Sequence, residues 1–198
     1  MTAKDTPKTT EENGRRMELI RAAAILFRDQ GYERTTVRDL GNAVGLQSGS
    51  LFYHFRTKEE ILVAVMALGI TSTTEQLAQA IAQAADARGR LAALFQVHLN
   101  SLLGDNQAAL EVMLYEWRSV SEAAKPGLIV LRDRYEAIWQ QVLDEAAAAG
   151  LVKPDTRLLR RTLLGSLHWS VQWFKAEGEL SVDQLAQRML ALVLIDQA

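Results

Sequence analysis

The stretch TVRDLGNAVGLQSGSLFYHF, residues 36–55, decides how the whole chain is read. Thr36 stands three residues before Asp39, the spacing at which a hydroxyl N-cap and an acid satisfy each other's backbone groups at a helix start. Leu40, Val44, Leu46 and Leu51 are spaced to pack two short helices against each other and against a helix before them. Gly41 falls where these helices cross, and the close approach it permits offsets a cost of about 1 kcal/mol relative to alanine. Gly45 falls at the turn, where a positive φ is expected and glycine tolerates it best. Residues 37–54 therefore read as helix, turn, helix, with the second helix available for the major groove of DNA.

That second helix mixes small polar residues (Gln47, Ser48, Gly49, Ser50) with a knot of rings (Phe52, Tyr53, His54, Phe55). A helix that docks on DNA suits both. Its first turn faces base edges and phosphates and needs the short donors and acceptors of Gln47, Ser48 and Ser50, with Gly49 letting the backbone come close. Leu51 and Phe55, one turn apart, anchor it in the core. Tyr53 and His54 are expected to turn their polar tips to phosphate oxygens, and Lys58 to neutralise a phosphate directly. Arg38 has the length to reach a base, guanine through a bidentate fork. Thr35 and Thr36 can offer hydroxyl or amide groups to the DNA backbone. Core packing in some other helical bundle is the plain alternative for such a helix pair.

Outward from this stretch the chain reads as all-α. It has only three prolines, and apolar residues recur at three and four, as in Leu19, Ala22, Ala23, Leu26 and Phe27 or Leu128, Leu131, Tyr135, Ile138 and Val142. Thr57 and Ser181 are further N-caps, and Gly31, Gly150 and Gly178 are stop signals. The pattern predicts about nine helices, at 14–30, 37–44, 48–55, 58–84, 88–103, 106–120, 126–149, 156–176 and 182–196. Residues 1–13 are expected to be a flexible tail without a signal peptide's apolar core. Residues 14–58 are expected to be the helix-turn-helix domain, and 59–198 a second helical domain.

Composition sets the remaining limits. The chain has 198 residues, 48% hydrophobic and 23% charged, which is ordinary for a globular protein. It has no cysteine, which excludes disulfides and thiolate catalysis and is compatible with a reducing, cytoplasmic setting. The longest apolar run, Ile61 to Ile70, is too short to cross a bilayer, so no membrane partner is expected. Net charge is −2, but residues 1–58 hold ten Lys/Arg against seven Asp/Glu and residues 59–198 hold twelve against seventeen. The excess of cations in the first segment hints at an anionic partner there. No glycine-rich phosphate loop, elbow serine or metal-ligand spacing occurs, so neither catalysis nor a cofactor is expected.

The run YERTTVRDLGNAVGLQSGSLFYHFRTKEEIL, residues 32–62, resembles the DNA-binding domain of the TetR family of transcriptional regulators. The likeness lies in the Thr-Thr helix start, the Gly-apolar turn, the Gly-Ser-Leu-aromatic helix and the Phe-x-x-Lys that follows. Two positions depart from the family pattern. Phe52 stands where the family usually has a tyrosine whose hydroxyl holds a phosphate, and Tyr53 offers a hydroxyl one residue later on a different bearing. Gly41 stands where alanine is usual. The resemblance implies a homodimer on a pseudo-palindromic double-stranded DNA operator, with residues 59–198 as a ligand-binding and dimerisation domain. It also implies that the last two helices pair with their symmetry mates. Leu159, Leu163, Leu167 and Ser170, beside Gly165 and Ser166, and then Leu185, Met189 and Leu192 are the expected interface stripes, with intrachain core as the alternative.

The expected ligand-binding residues are Tyr115, Arg118, Tyr135, Trp139, His168, Trp169, Gln172 and Trp173. Large rings with a few polar groups describe a small-molecule cavity, and equally a filled core. His98 and His168 read as hydrogen-bonded core or pocket residues rather than metal ligands. Residues 114–139 and 167–194 resemble the sensor domains of TetR regulators of fatty-acid or steroid-ring catabolism, which respond to acyl-CoA thioesters. In that branch an aromatic and an arginine on the eighth helix help hold the ligand, and the matching positions here are His168 and Gln172. The resemblance implies an apolar tunnel for the acyl part, with Arg118, Arg132 or Lys175 at the phosphates. The function so implied is a repressor that a small apolar or acyl-CoA-like effector releases from DNA. A transcriptional activator of the same fold and a helical adaptor that does not bind DNA are the alternatives.

Overall fold

A computed structural model of the chain describes residues 6–104 and 107–195. Among them the α-helices are α1 (Thr6–Gln30), α2 (Val37–Ala43), α3 (Ser48–His54), α4 (Lys58–Gln83), α5 (Ala87–Leu103), α6 (Ala108–Tyr115), α7 (Lys125–Ala148), α8 (Thr156–Trp173) and α9 (Val182–Ala191). A single 3-10 turn (Trp117–Ser119) lies between α6 and α7. The expected all-helical, nine-helix architecture is the one found.

The helix starts follow the chemistry of their caps. Thr36 and Asp39 form the reciprocal box: the Asp39 amide donates to Thr36 Oγ1 at 3.2 Å and the Thr36 amide to Asp39 Oδ2 at 2.8 Å. The Thr36 hydroxyl and amide together hold the Asp39 carboxyl below the usual carboxylate range. Thr57 caps α4, and Ser181 with Gln184 forms a second box at α9. Gly31, Gly45 and Gly150 take positive φ at the chain reversals, where a side chain would be strained.

Four boundaries differ from the sequence pattern. The start of α1 lies at Thr6, so residues 6–13, expected to be tail, are helical; residues 1–5 lie outside the described residues. Pro7 falls in the first turn, where its missing N–H would have been unpaired anyway. The end of α6 comes at Tyr115 rather than 120, because Glu116 leaves helical geometry (φ −101°, ψ 12°) and its carboxylate bonds to the α1–α2 turn. Phe174 turns extended and packs on the core, which ends α8 at Trp173, ahead of Gly178. The last helix, α9, ends at Ala191, short of the expected 196.

Leu19, Ala23, Phe27, Leu40, Leu51 and Phe55 are buried together where α1, α2 and α3 meet. From this unit α4 runs into the C-terminal body. By length and composition α4 could cross a bilayer, but Ile61, Leu62, Val65, Met66, Ile70 and Leu77 are buried inside the fold. At Gly69 it meets α6 so closely that an added Cβ would lie 2.9 Å from the Ala109 carbonyl carbon. Helices α5 and α7 pack against α4, and α8 and α9 close over them.

Candidate nucleic-acid interface and internal cavity

Helix α3 turns its polar side outward. Gln47, its N-cap, makes no side-chain cap bond and is exposed, as are Gly49 and Ser50; the Ser48 side chain lies outside the described residues. Nothing lies within 4 Å of a Cβ built on Gly49, so the backbone there is open to a close approach. Leu51 and Phe55 are buried, and the Arg16 guanidinium sits 4.5 Å above the Phe55 ring. Tyr53 is 74% exposed, and its hydroxyl donates to Glu12 Oε1 in α1 at 3.1 Å, which raises the phenol's pKa. His54 is half-buried, edge-on to the Tyr53 ring at 5.4 Å. Arg38 is exposed and shares a shallow cleft with Asn42, Gly45, Leu46 and Gln47.

Two expected contacts are corrected. Thr35 is 0% exposed, with its hydroxyl donating to the Gly31 carbonyl at 2.9 Å and its amide to the Gly31 and Tyr32 carbonyls. Lys58 turns inward. Its ammonium donates to the carbonyls of Tyr32 (2.9 Å), Glu33 (3.4 Å) and Thr35 (3.1 Å) and lies 4.1 Å from the Tyr32 ring centroid. An ammonium has three donors, and all three are taken. Lys58 therefore ties the start of α4 to the α1–α2 turn instead of facing a phosphate.

Inside the C-terminal body α4 to α8 enclose a cavity of about 310 Å³. Its walls are apolar, from Ile70 on α4, Met113 and Leu114 on α6, Trp117 on the 3-10 turn and Leu164 on α8. Its polar groups are fewer: Thr73, His98, Tyr135 and His168, with Arg132 and Glu136. His98 Nδ1 is hydrogen-bonded to the Tyr135 hydroxyl, and the His98 and His168 rings stack with centroids 5.1 Å apart. Burial lowers the pKa of both imidazoles, His168 to about 4 and His98 well below its ordinary value, so both are neutral at pH 7. His98 Nε2 is buried and has no hydrogen-bond partner among the described residues. Arg132 lies 5.7 Å from the Trp117 ring centroid, with Glu136 Oε1 3.5 Å from its Nε.

One short segment touches both the cavity and the helix-turn-helix unit. Trp117 is a cavity wall; its neighbour Glu116 accepts the Tyr32 amide at 2.9 Å through Oε1 and the Ser119 hydroxyl at 2.9 Å through Oε2. Five residues after Glu116, the Ser121 amide donates to Glu59 Oε1 at 2.6 Å and holds the Glu59 carboxyl below its usual range. Residues 116–121 are thus pinned to the α1–α2 turn and to the first turn of α4.

Residues 19–65 match the family model described as bacterial regulatory proteins, tetR family. Residues 84–195 match the model of the tetracyclin repressor-like C-terminal domain. The chain is 30% identical to the HTH-type transcriptional repressor KstR2 of Mycolicibacterium smegmatis, over 97% of this chain and 94% of that protein. The chain belongs to the TetR family. As a TetR-family member it is a DNA-binding transcriptional regulator and not an enzyme. Among solved structures it is similar to PfiT, described as a superantigen, at 43% identity and a TM-score of 0.82, covering 99% of this chain and 100% of that one. It shares the fold of AibR, solved in complex with isovaleryl coenzyme A and operator DNA, at 24% identity and a TM-score of 0.83, over 90% and 97% of the two chains.

In this TetR-family chain the expected ligand-binding residues separate into three groups. Tyr135 and His168 line the cavity. Trp139 is fully buried one layer behind, its ring edge-on to His98 at 5.5 Å. Tyr115, Arg118, Trp169, Gln172 and Trp173 lie on the outer surface, where Gln172 is hydrogen-bonded to Tyr115. The reason is helical phase: on α8 residues 169, 172 and 173 fall on the side away from Leu164 and Leu167. His98, read as a core or pocket residue, and Arg132, read as one of three cations for the phosphates, also line the cavity, and Thr73, Trp117 and Glu136, outside the expected set, complete its polar and aromatic lining. The signal for His98 was a lone imidazole amid the apolar stripe of Leu91, Leu94, Leu99 and Leu102.

The expected interface stripe is corrected by the same phase argument. Leu163, Leu167, Ser170 and Leu185 are buried within their own chain, and Leu159 and Met189 pack half-buried on the same core. Leu192 alone of that set is well exposed, at 84%. The uncovered apolar face of α8 is instead Leu158, Gly165, Trp169 and Trp173, with nothing within 4 Å of a Cβ built on Gly165.

Proposed function

We propose that the chain is a homodimeric repressor that leaves a pseudo-palindromic operator when an amphipathic effector of the acyl-thioester class fills the cavity between α4 and α8. The observation that carries this reading is the join formed by residues 116–121, with Trp117 on the cavity wall and Glu116 on the Tyr32 amide. Gln47, Ser48, Gly49, Ser50, Tyr53 and His54 form the DNA-reading surface, Arg38 reads a base, and Thr36 holds α2 in place as its cap. The exposed face of α8 carries the two-fold contact that sets the two recognition helices apart by a DNA turn or a multiple of it. The protein acts where its DNA lies, in the cytoplasm.

Release follows as a population shift. The effector binds better to a form in which Trp117 has moved and the Glu116–Tyr32 and Glu59–Ser121 bonds are loosened. An effect of 5- to 150-fold on DNA affinity needs about 1–3 kcal/mol of coupling. The part-buried bond from the Tyr32 amide to the Glu116 carboxylate contributes about 1.5–3 kcal/mol, so its loss is enough. The effector class is supported by the resemblance of residues 114–139 and 167–194 to acyl-thioester sensors, by apolar walls that suit an acyl chain, and by Arg132 as a cation for the anionic part. The repressor sense is supported by the similarity to KstR2.

Selection from a pool of randomised duplexes, followed by titration with octanoyl-CoA, tests the proposal. Inverted repeats are expected to be enriched, with affinity falling steeply as salt rises. Octanoyl-CoA is expected to dissociate the complex where free CoA does not. Failure to enrich any sequence, or a complex indifferent to the thioester, contradicts the reading.

A further inference from the structure

We propose that Phe52 reads thymine: on the operator its ring packs against the 5-methyl group of one thymine in each half-site, a base contact made without a hydrogen bond. This rests on reading α3 as the helix that enters the major groove.

Helix α3 has a closed side and an open side. Leu51 and Phe55 are buried and His54 is half-buried, whereas Gly49, Ser50, Phe52 and Tyr53 are exposed. Gly49 lies three residues before Phe52 and four before Tyr53, so the three share one ridge of the helix. Nothing lies within 4 Å of a Cβ built on Gly49. A DNA surface that closes on the bare backbone there meets the Phe52 ring, 49% exposed, one turn later.

The two rings on this ridge differ in what they can give to a duplex. Phe52 has no hydroxyl and cannot donate to a phosphate. Tyr53 has one hydroxyl proton, and it goes to Glu12 Oε1 at 3.1 Å. Phosphate oxygens only accept, so the Tyr53 oxygen has nothing to offer one while that bond lasts. The bond ties the end of α3 to α1, and the edge-on His54 ring at 5.4 Å braces Tyr53 from its own helix. The contact made by Phe52 is therefore apolar, and it belongs to a ring that no hydroxyl directs to the sugar-phosphate backbone.

The major groove offers one apolar feature of its own. The edges of adenine, guanine and cytosine present donors and acceptors there, and thymine adds a methyl group at C5. A phenyl ring set against a polar edge strips its water and returns no hydrogen bond, which costs free energy. Against the methyl group it buries apolar surface on both sides and gains. Phe52 thus favours thymine by a gain at the right base and a loss at the others.

The test uses the full-length protein and the duplex enriched from a randomised pool, resynthesised with deoxyuridine in place of thymidine at one symmetric pair of positions at a time. Uracil pairs with adenine as thymine does and lacks only the methyl group. One symmetric pair is expected at which uracil weakens wild-type binding about fifteenfold, the product of about fourfold for the methyl group in each half-site. In Phe52→Ala the thymine-to-uracil ratio at that pair is expected to fall to about one, while Phe52→Leu keeps a ratio of several-fold. Each ratio is taken within one protein, so a variant that binds more weakly overall still reports it. A crosslinking readout needs no variant to fold: 5-iodouracil at the same pair, irradiated in the wild-type complex, is expected to join to Phe52. A duplex with no position sensitive to loss of the methyl group overturns the proposal and leaves α3 as the DNA-reading helix. An unchanged ratio in Phe52→Ala, or a crosslink that maps to another residue, overturns it likewise. Wild type that enriches no duplex removes the reading of α3 and this proposal together.

Discussion

Trp169→Glu is expected to give a folded monomer whose operator affinity has collapsed. Trp169 is 65% exposed on α8, so its replacement leaves the chain's own core intact. In a two-fold contact the same side chain is buried twice, once from each copy. A tryptophan with that much surface still open hides roughly 130 Å² on association, worth about 3 kcal/mol per copy. Losing both weakens the dimer by about 6 kcal/mol, or about ten-thousand-fold in dissociation constant. The two new carboxylates also repel each other across the axis. Sedimentation velocity and operator titration on the same sample check this. Leu167→Glu, on the stripe that sequence periodicity suggested, is expected instead to unfold the protein, because Leu167 is wholly buried in its own chain. A Trp169→Glu protein that remains dimeric contradicts the assignment of the face.

Lys58→Met is expected to lower the unfolding free energy by about 3 kcal/mol and to leave the salt slope of DNA binding unchanged. The ammonium joins three carbonyls of the α1–α2 turn and the Tyr32 ring to the first turn of α4. Hydrogen bonds from a charged donor contribute about 1.5–3 kcal/mol each, and part of that is recovered when water reaches the freed carbonyls. A phosphate contact behaves in the opposite way: its loss reduces the salt slope by about one and hardly affects stability. Denaturant unfolding alongside binding at several salt concentrations separates the two roles. A smaller slope with unchanged stability returns Lys58 to the DNA surface.

These two sites mark where sequence reading stopped. The helix-turn-helix was legible because its determinants are local. Thr36 finds Asp39 three residues away, Gly45 takes its positive φ at the turn, and Leu40 and Leu51 fall on the buried side of adjacent helices. Lys58 and Thr35 were misplaced because their partners are backbone carbonyls, which carry no side-chain signature; for Lys58 they lie 23 to 26 residues back. On α8 two opposite faces are apolar. Periodicity finds a stripe but does not say whether it meets the chain's own α5 and α7 or something outside, and Leu163 and Leu167 went inward while Trp169 stayed out. The cavity was half legible. Tyr135 and His168 were in the expected set, but the boundary that moves Trp117 onto the wall depends on Glu116 reaching Tyr32, 84 residues earlier.

A filled cavity is expected to change the spacing of two recognition helices held by one symmetric body. The chain has no cysteine, so a single Ala43→Cys substitution on the exposed side of α2 gives one spin label per protomer. Pulsed electron-spin distance measurement on the operator complex is predicted to give one narrow inter-protomer distance, which shifts or broadens when octanoyl-CoA saturates the protein. Absence of dipolar coupling between protomers, or an identical distance with and without the bound thioester, contradicts the account.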